Sequence, residues 1–201
     1  MQLPSLREAQ LAIIGSWRIF LGKPGALAFF DLSLKGFWRS FAAIIMVAPL
    51  YYISLQSGIK MLSDPNLAGS STQITADFSS FYALQTLVLV LDWIAYPLVL
   101  ALLAGSLNIQ KAYFAYIATY NWSTLLLLLP HAALSLLYLL GLLPAMVLIM
   151  LSLPIVGWSL YFRYILTRYV TGIAIGPALG LVALGFLLSL FIDAGIDKLL
   201  S

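Results

Sequence analysis

The sequence predicts an all-α fold: an integral membrane bundle of five transmembrane helices preceded by an interfacial amphipathic helix. Three observations carry that prediction. Of 201 residues, 63% are hydrophobic and only 8% are charged, whereas soluble domains run at roughly half apolar and a quarter charged. So few charges could not cover so much apolar surface in water. Five runs also reach the roughly 20 mostly apolar residues that one crossing needs. Finally, the lysines and arginines sort to one side of those runs, as the positive-inside rule requires.

The elements follow in order. "LREAQLAIIGSWRIFLG" (6–22) is too short and too charged to span. Wound at about 100° per residue, it gathers Leu6, Ile13, Ile14, Trp17, Phe20 and Leu21 on one side, with Arg7, Glu8, Gly15 and Arg18 away from it. Gln10, Leu11 and Ile19 spoil the pattern. This predicts a helix lying in the membrane interface, its basic residues toward lipid phosphates. "KPGA" ends it, and Ser33 in "DLSLKGF" is placed to cap the first spanning helix.

The spans are expected at 37–56, 81–105, 112–143, 144–166 and 172–192. The third run is too long for one upright helix and too short for two. Tyr113, Tyr116 and Tyr120 precede Asn121 and Trp122 in it, and such rings favour the headgroup level. Residues 112–120 are therefore expected to be an interfacial lead-in, and 121–143 the crossing. The one long polar loop, 57–80, is expected outside. Residues 1–36 form a cytoplasmic N-terminal segment, 37–192 the five-helix transmembrane domain, and 193–201 a short outer-side tail.

Orientation follows from counting Lys and Arg. With the N-terminus inside, the cytoplasmic side receives Arg7, Arg18, Lys23, Lys35, Arg39, Lys111, Arg163 and Arg168, and the outer side only Lys60 and Lys198. That eight-to-two split supports five crossings with the N-terminus cytoplasmic and the C-terminus outside; a multi-pass protein of a bacterial inner membrane is expected. No short apolar core with a cleavage site precedes the first span, which is expected to act as an uncleaved anchor.

What could carry chemistry is sparse. There is no cysteine and a single histidine, His131, so thiolate chemistry is excluded and no metal centre or cofactor is expected. Signatures of hydrolases, metalloproteases and phosphate-binding loops are missing. No catalytic residue is assigned, and nothing points to nucleic acid. The intramembrane polar candidates are Asp92, His131 and Asn121. An ionised Asp at helix centre costs about 2.5–3.5 kcal/mol on insertion scales. Counted inward from the outer ends, Asp92 and His131 lie at similar depth, and they could meet if the second and third spans pack together. Such a pair can pass protons or gate an ion. Alternatively, Asp92 stays protonated on a carbonyl loosened by a proline, and His131 merely satisfies a neighbour.

Every span contains a proline: Pro49, Pro97, Pro130, Pro154 and Pro177. Kinked packing explains them better than a substrate site, because no matching interruption recurs in two halves. Gly172, Gly176 and Gly180 repeat every four residues in the fifth span and form a flat face. That face is either a seam for a membrane-protein partner or second copy, or packing within the bundle. Arg163 and Arg168 in "RYILTRY" are lipid-headgroup candidates, although ordinary topological anchoring explains them as well and is preferred.

"NIQKAYFAYIATYNWSTLLLLLP" (108–130) is similar to the approach to the third span in the Yip1 family, where an aromatic and small-residue stretch runs into a Leu–Pro turn. The five-span layout over residues 25–192 resembles that family too. The resemblance implies the architecture alone. The "DLYGP" signature of the eukaryotic branch, whose members act in vesicle traffic and contact prenylated Rab GTPases, is absent. No functional residue is carried over, and Rab binding is not implied. The expected function is that of a non-enzymatic scaffold or accessory subunit working through helix packing and lipid contact. The alternative is a small permease or proton-coupled transporter subunit centred on Asp92 and His131, with a lipid-modifying enzyme third.

Overall fold

The computed structural model of the chain describes residues 4–62 and 78–200, apart from the side chains of 78–80 and 197–200. The N-terminal helix α1 spans Leu6–Phe20. Ser5 caps it: its hydroxyl accepts from the Glu8 amide at 3.2 Å, and the Ser5 amide donates back to Glu8 Oε2 at 2.9 Å. This reciprocal box satisfies two amides that a helix start leaves free. The first span then comes in two pieces, α2 (Leu34–Ser40) and α3 (Ile44–Leu62), joined by a tighter 3-10 turn at Phe41–Ala43. Ser33 caps α2 through the Gly36 amide, as expected.

The other spans are α4 (Phe78–Leu103), α5 (Tyr113–Leu139), α6 (Ala145–Thr171) and α7 (Ile175–Leu200). Among the described residues, five helices are thus long and apolar enough to cross a membrane, and the chain is a multi-pass membrane protein that places its apolar surface against lipid. Several boundaries differ from expectation. The loop expected over 57–80 is helical at both ends, and its centre, 63–77, lies outside the described residues. Tyr113 to Tyr120 form no separate lead-in; they are the first two turns of an unbroken α5, with Tyr116, Ile117, Ala118 and Thr119 buried. Amphipathic aromatics that read as interfacial from sequence are instead the packed N-terminal end of a span, because neighbouring helices cover them. The tail expected at 193–201 continues α7 to Leu200. Pro177 lies in the first turn of α7, where a missing amide costs nothing. The other four prolines lie within helices.

Helix α5 is the hub. It packs against α1, α2, α3 and α6, while α4 packs chiefly on α7, which also touches α6. The amphipathic helix behaves in a way its pattern alone did not reveal. It docks on the bundle through Ala12, Gly15, Ser16 and Ile19, all buried and all off its apolar face. At Gly15 a Cβ would lie 2.6 Å from the Phe30 ring, so only glycine allows that approach. Leu6, Ile14, Trp17 and Leu21 meanwhile remain exposed. The buried face is made of small residues and Ile19, while most of the large apolar residues face outward. An Arg39–Glu8 ion pair at 2.5 Å ties α2 to α1.

Candidate functional site

Polar side chains are concentrated along one seam of α5, and most of them are structural ties. At its C-terminal end, Lys60 Nζ donates to the carbonyls of Tyr138 and Leu139 at 3.0 and 3.2 Å. A cation there satisfies carbonyls that a helix end leaves free and complements its dipole. One turn further in, Ser57 donates to Ser135 at 3.0 Å, and next His131 Nδ1 lies 3.0 Å from Ser54 Oγ. In the N-terminal half, Asn121 is buried and donates to Ser40 Oγ at 3.0 Å. Ser40 in turn donates to the Phe37 carbonyl, and Trp93 Nε1 to that of Phe41. These bonds serve carbonyls beside the 3-10 turn, where the helical ladder is interrupted. Asn121 is therefore a clasp for a broken helix.

Tyr116 is wholly buried, with its hydroxyl 2.8 Å from that of Tyr96 and 2.9 Å from Thr167 Oγ1. The three side chains join α4, α5 and α6 without an exposed donor.

Arg163 is different. Its guanidinium turns into the bundle, where Nη1 donates to the Tyr120 carbonyl at 2.9 Å and to Ser123 Oγ at 3.0 Å. Nη2 donates to Thr124 Oγ1 at 2.8 Å, and the group stacks over the Tyr120 ring at 3.5 Å. It sits eight residues before the end of the 27-residue α6. That is about 12 Å along a helix about 40 Å long, hence inside a hydrocarbon core about 30 Å thick when the helix is centred on it. No carboxylate lies within 4.0 Å of it among the described residues. Of five guanidinium N–H groups, the three bonds above leave two uncommitted.

The guanidinium lines a cavity of about 420 Å³ between α3, α4, α5, α6 and α7, within the size class of small-molecule sites. His131 lines its opposite end, two turns of α5 beyond Thr124. The walls between are mostly aliphatic, and the exposed lining residues are Val156 of α6 and Phe186 of α7, each 43% exposed. A smaller cavity of about 260 Å³ adjoins it and shares Tyr96, Tyr120 and Arg163 with it. Asp92 lines this second space, its Oδ2 accepting from Ser189 of α7 at 3.0 Å.

The proposed Asp92–His131 pair is thus not formed. The expectation assumed that α4 and α5 pack side by side because a short loop joins them; instead α4 leans on α7 and α5 on α3, so each polar residue finds a serine on a different helix. Gly172 also moves: it is the left-handed residue ending α6 (φ 69°) and stands before α7 begins. Gly176 and Gly180 are exposed, and a Cβ at either would meet nothing within 4 Å, which removes the packing-within-the-bundle reading. The glycine that does admit a neighbour is Gly185, where a Cβ would lie 3.2 Å from the Tyr96 ring. Arg168 is exposed at the end of α6, and Arg163, eight residues from that end, faces inward instead of toward headgroups. Its role was missed because a lone arginine near a span end reads as an anchor. The hydroxyls of Ser123 and Thr124, one α5 turn from Tyr120, were the available signal. The chain has no significant match among family models, curated proteins or solved structures.

Proposed function

We propose that this chain is a non-enzymatic protein of a bacterial inner membrane, with a Yip1-like layout, its N-terminus cytoplasmic and its C-terminus outside, that holds a ligand taken sideways from the bilayer into the larger cavity. The observation that carries this reading is the combination of an intramembrane cation with a cavity whose mouth lies between two lipid-facing helices. A merely structural arginine needs no mouth. A scaffold needs neither. The eight-to-two distribution of Lys and Arg supports the orientation.

The absence of cysteine makes the test clean. A bimane label at Ser159→Cys, on the α6 wall of the cavity, is expected to be quenched by brominated acyl chains nearly as strongly as one at Phe186→Cys. A Ser159 label that stays dark to brominated lipid, while the Phe186 label responds, would close the mouth and end this reading.

The open Gly176–Gly180 face supports a second reading, a partner or second copy seated on α7. Gly180→Leu leaves the monomer intact and is expected to abolish any such association, read by crosslinking in native membrane. An unchanged crosslink pattern counts against it.

A further inference from the structure

We infer that the larger cavity is a binding site for an anionic amphiphile, a single oxyanion head (carboxylate or phosphate) on an apolar tail, with Arg163 holding the head. This rests on the lateral-entry reading above and adds the chemistry of the ligand.

The inference starts from an imbalance of donors and acceptors. Two N–H groups of Arg163 are uncommitted, and among the described residues nothing is hydrogen-bonded to the hydroxyls of Tyr120 or Ser159, which line the same cavity. The nearby hydroxyl pair of Tyr96 and Tyr116 is already closed on itself and Thr167. No Asp or Glu lines this cavity. Asp92 is in the adjoining space, and its Oδ2 accepts from Ser189. Unused donors around a positive charge, with no carboxylate among the lining residues, describe an oxyanion site.

Charge argues the same way. A guanidinium at membrane depth is costly and is ordinarily paired, or stationed on a ligand path. Carbonyl, hydroxyl and ring contacts hold the group in place here, yet none neutralises it. A bound anion would.

Shape supplies the tail. From Arg163 the cavity runs outward along Leu127 and Leu128 of α5 and Val182 of α7, and it opens past Val156 and Phe186. The volume of about 420 Å³ accepts a head and the first part of a chain, and the remainder leaves through the mouth into lipid. A free inorganic anion would use the charged end and leave the aliphatic wall empty.

Native mass spectrometry of the full chain in neutral maltoside tests this with four probes: oleate, oleoyl lysophosphatidate, oleyl alcohol and inorganic phosphate. Oleate or the lysophosphatidate is expected to bind at least about tenfold more tightly than the alcohol, and Arg163→Gln is expected to remove that preference. Whichever of the two anions binds better assigns the head, carboxylate or phosphate, and either result supports the site. Should Arg163→Gln fail to fold, Tyr120→Phe and Ser159→Ala are each expected to weaken anion binding about threefold without changing retention of the alcohol. Equal binding of alcohol and oleate overturns the anion site while leaving lateral entry standing. Inorganic phosphate binding as tightly as oleate overturns the part given to the tail.

Discussion

Helices α5 and α7 make the instructive contrast. Inside the protein, 39% of the α5 span is buried, against 11% of the α7 span. Helix α5 carries Tyr, Asn, Ser, Thr and His along its seams, whereas α7 carries Ser189 as its one polar side chain between Ile175 and Ile192. In a water-soluble fold the more apolar helix would be the core. Here the order is reversed, because lipid is as apolar as leucine and rewards no burial of aliphatic surface against protein. What draws helices together is close packing and the satisfaction of polar groups. The helix with the polar seam is therefore the hub, and the most apolar one is the rim.

The sharpest way to break that contrast is a truncation in the hub. Tyr116→Ala removes a wholly buried ring with two hydroxyl contacts and is expected to cost about 3–5 kcal/mol. In detergent it should show as loss of the monodisperse peak and an early thermal transition. A counterpart on the rim, Leu190→Ala, is expected to be near neutral. Similar losses in both would mean that α5 is no hub.

Glycine substitutions test the same contrast within α7 itself. Gly185→Leu drives a side chain into Tyr96, which a Cβ alone would meet at 3.2 Å, and overpacking of this kind costs about 1–3 kcal/mol. Gly180→Leu meets open space and should leave the unfolding midpoint of the monomer unchanged. Equal midpoints in titrations with a denaturing detergent would refute the difference in packing between the two faces.

A finer measurement separates polar ties from packing. Asn121→Leu loses the bond to Ser40, and interhelical bonds of this kind average about 0.6 kcal/mol in membranes. The expected effect is small in stability but visible as faster amide exchange at the Phe41–Ala43 turn. Unchanged exchange there would deny Asn121 its clasping role.

The smallest effect lies outside the spans, where water competes. Asp31 accepts from the Ser33 hydroxyl at 2.6 Å. That bond holds its carboxyl below the usual carboxylate range, against a weaker opposing effect of burial, with help from the Ser33 amide, Arg39 and Lys35. Since the folded-state value is the lower one, the contribution is complete above the unfolded carboxyl's pKa. It is lost as pH falls through the folded value. Asp31→Asn should thus destabilise slightly at neutral pH and not at all in strong acid. A deficit that persists undiminished at low pH would contradict it.

Much of this was legible in the residues. The number of spans, the separate helix before them and the Ser33 cap all follow from run length, periodicity and local hydrogen bonding, which act over a few residues. The Ser5–Glu8 box was equally legible, as Ser followed three residues later by Glu. The N-terminal end of α5 was not, because Tyr113, Tyr116 and Tyr120 suit an interface and a packed core equally well, and only their neighbours decide. Nor could pattern place Arg163, whose distance from a span end permits either an outward reach to phosphates or an inward turn.

By itself, then, the sequence determined that this chain crosses a membrane five times, because hydrophobic length and backbone satisfaction are properties of each segment taken alone. The tertiary structure alone decided which helix lies beside which. That choice sent Asp92 to Ser189 and His131 to Ser54, made α5 the hub, and turned the guanidinium of Arg163 into a cavity. Its physical basis is that helix pairing in lipid depends on the shape and hydrogen bonds of whole faces, which become defined only when several helices are present together.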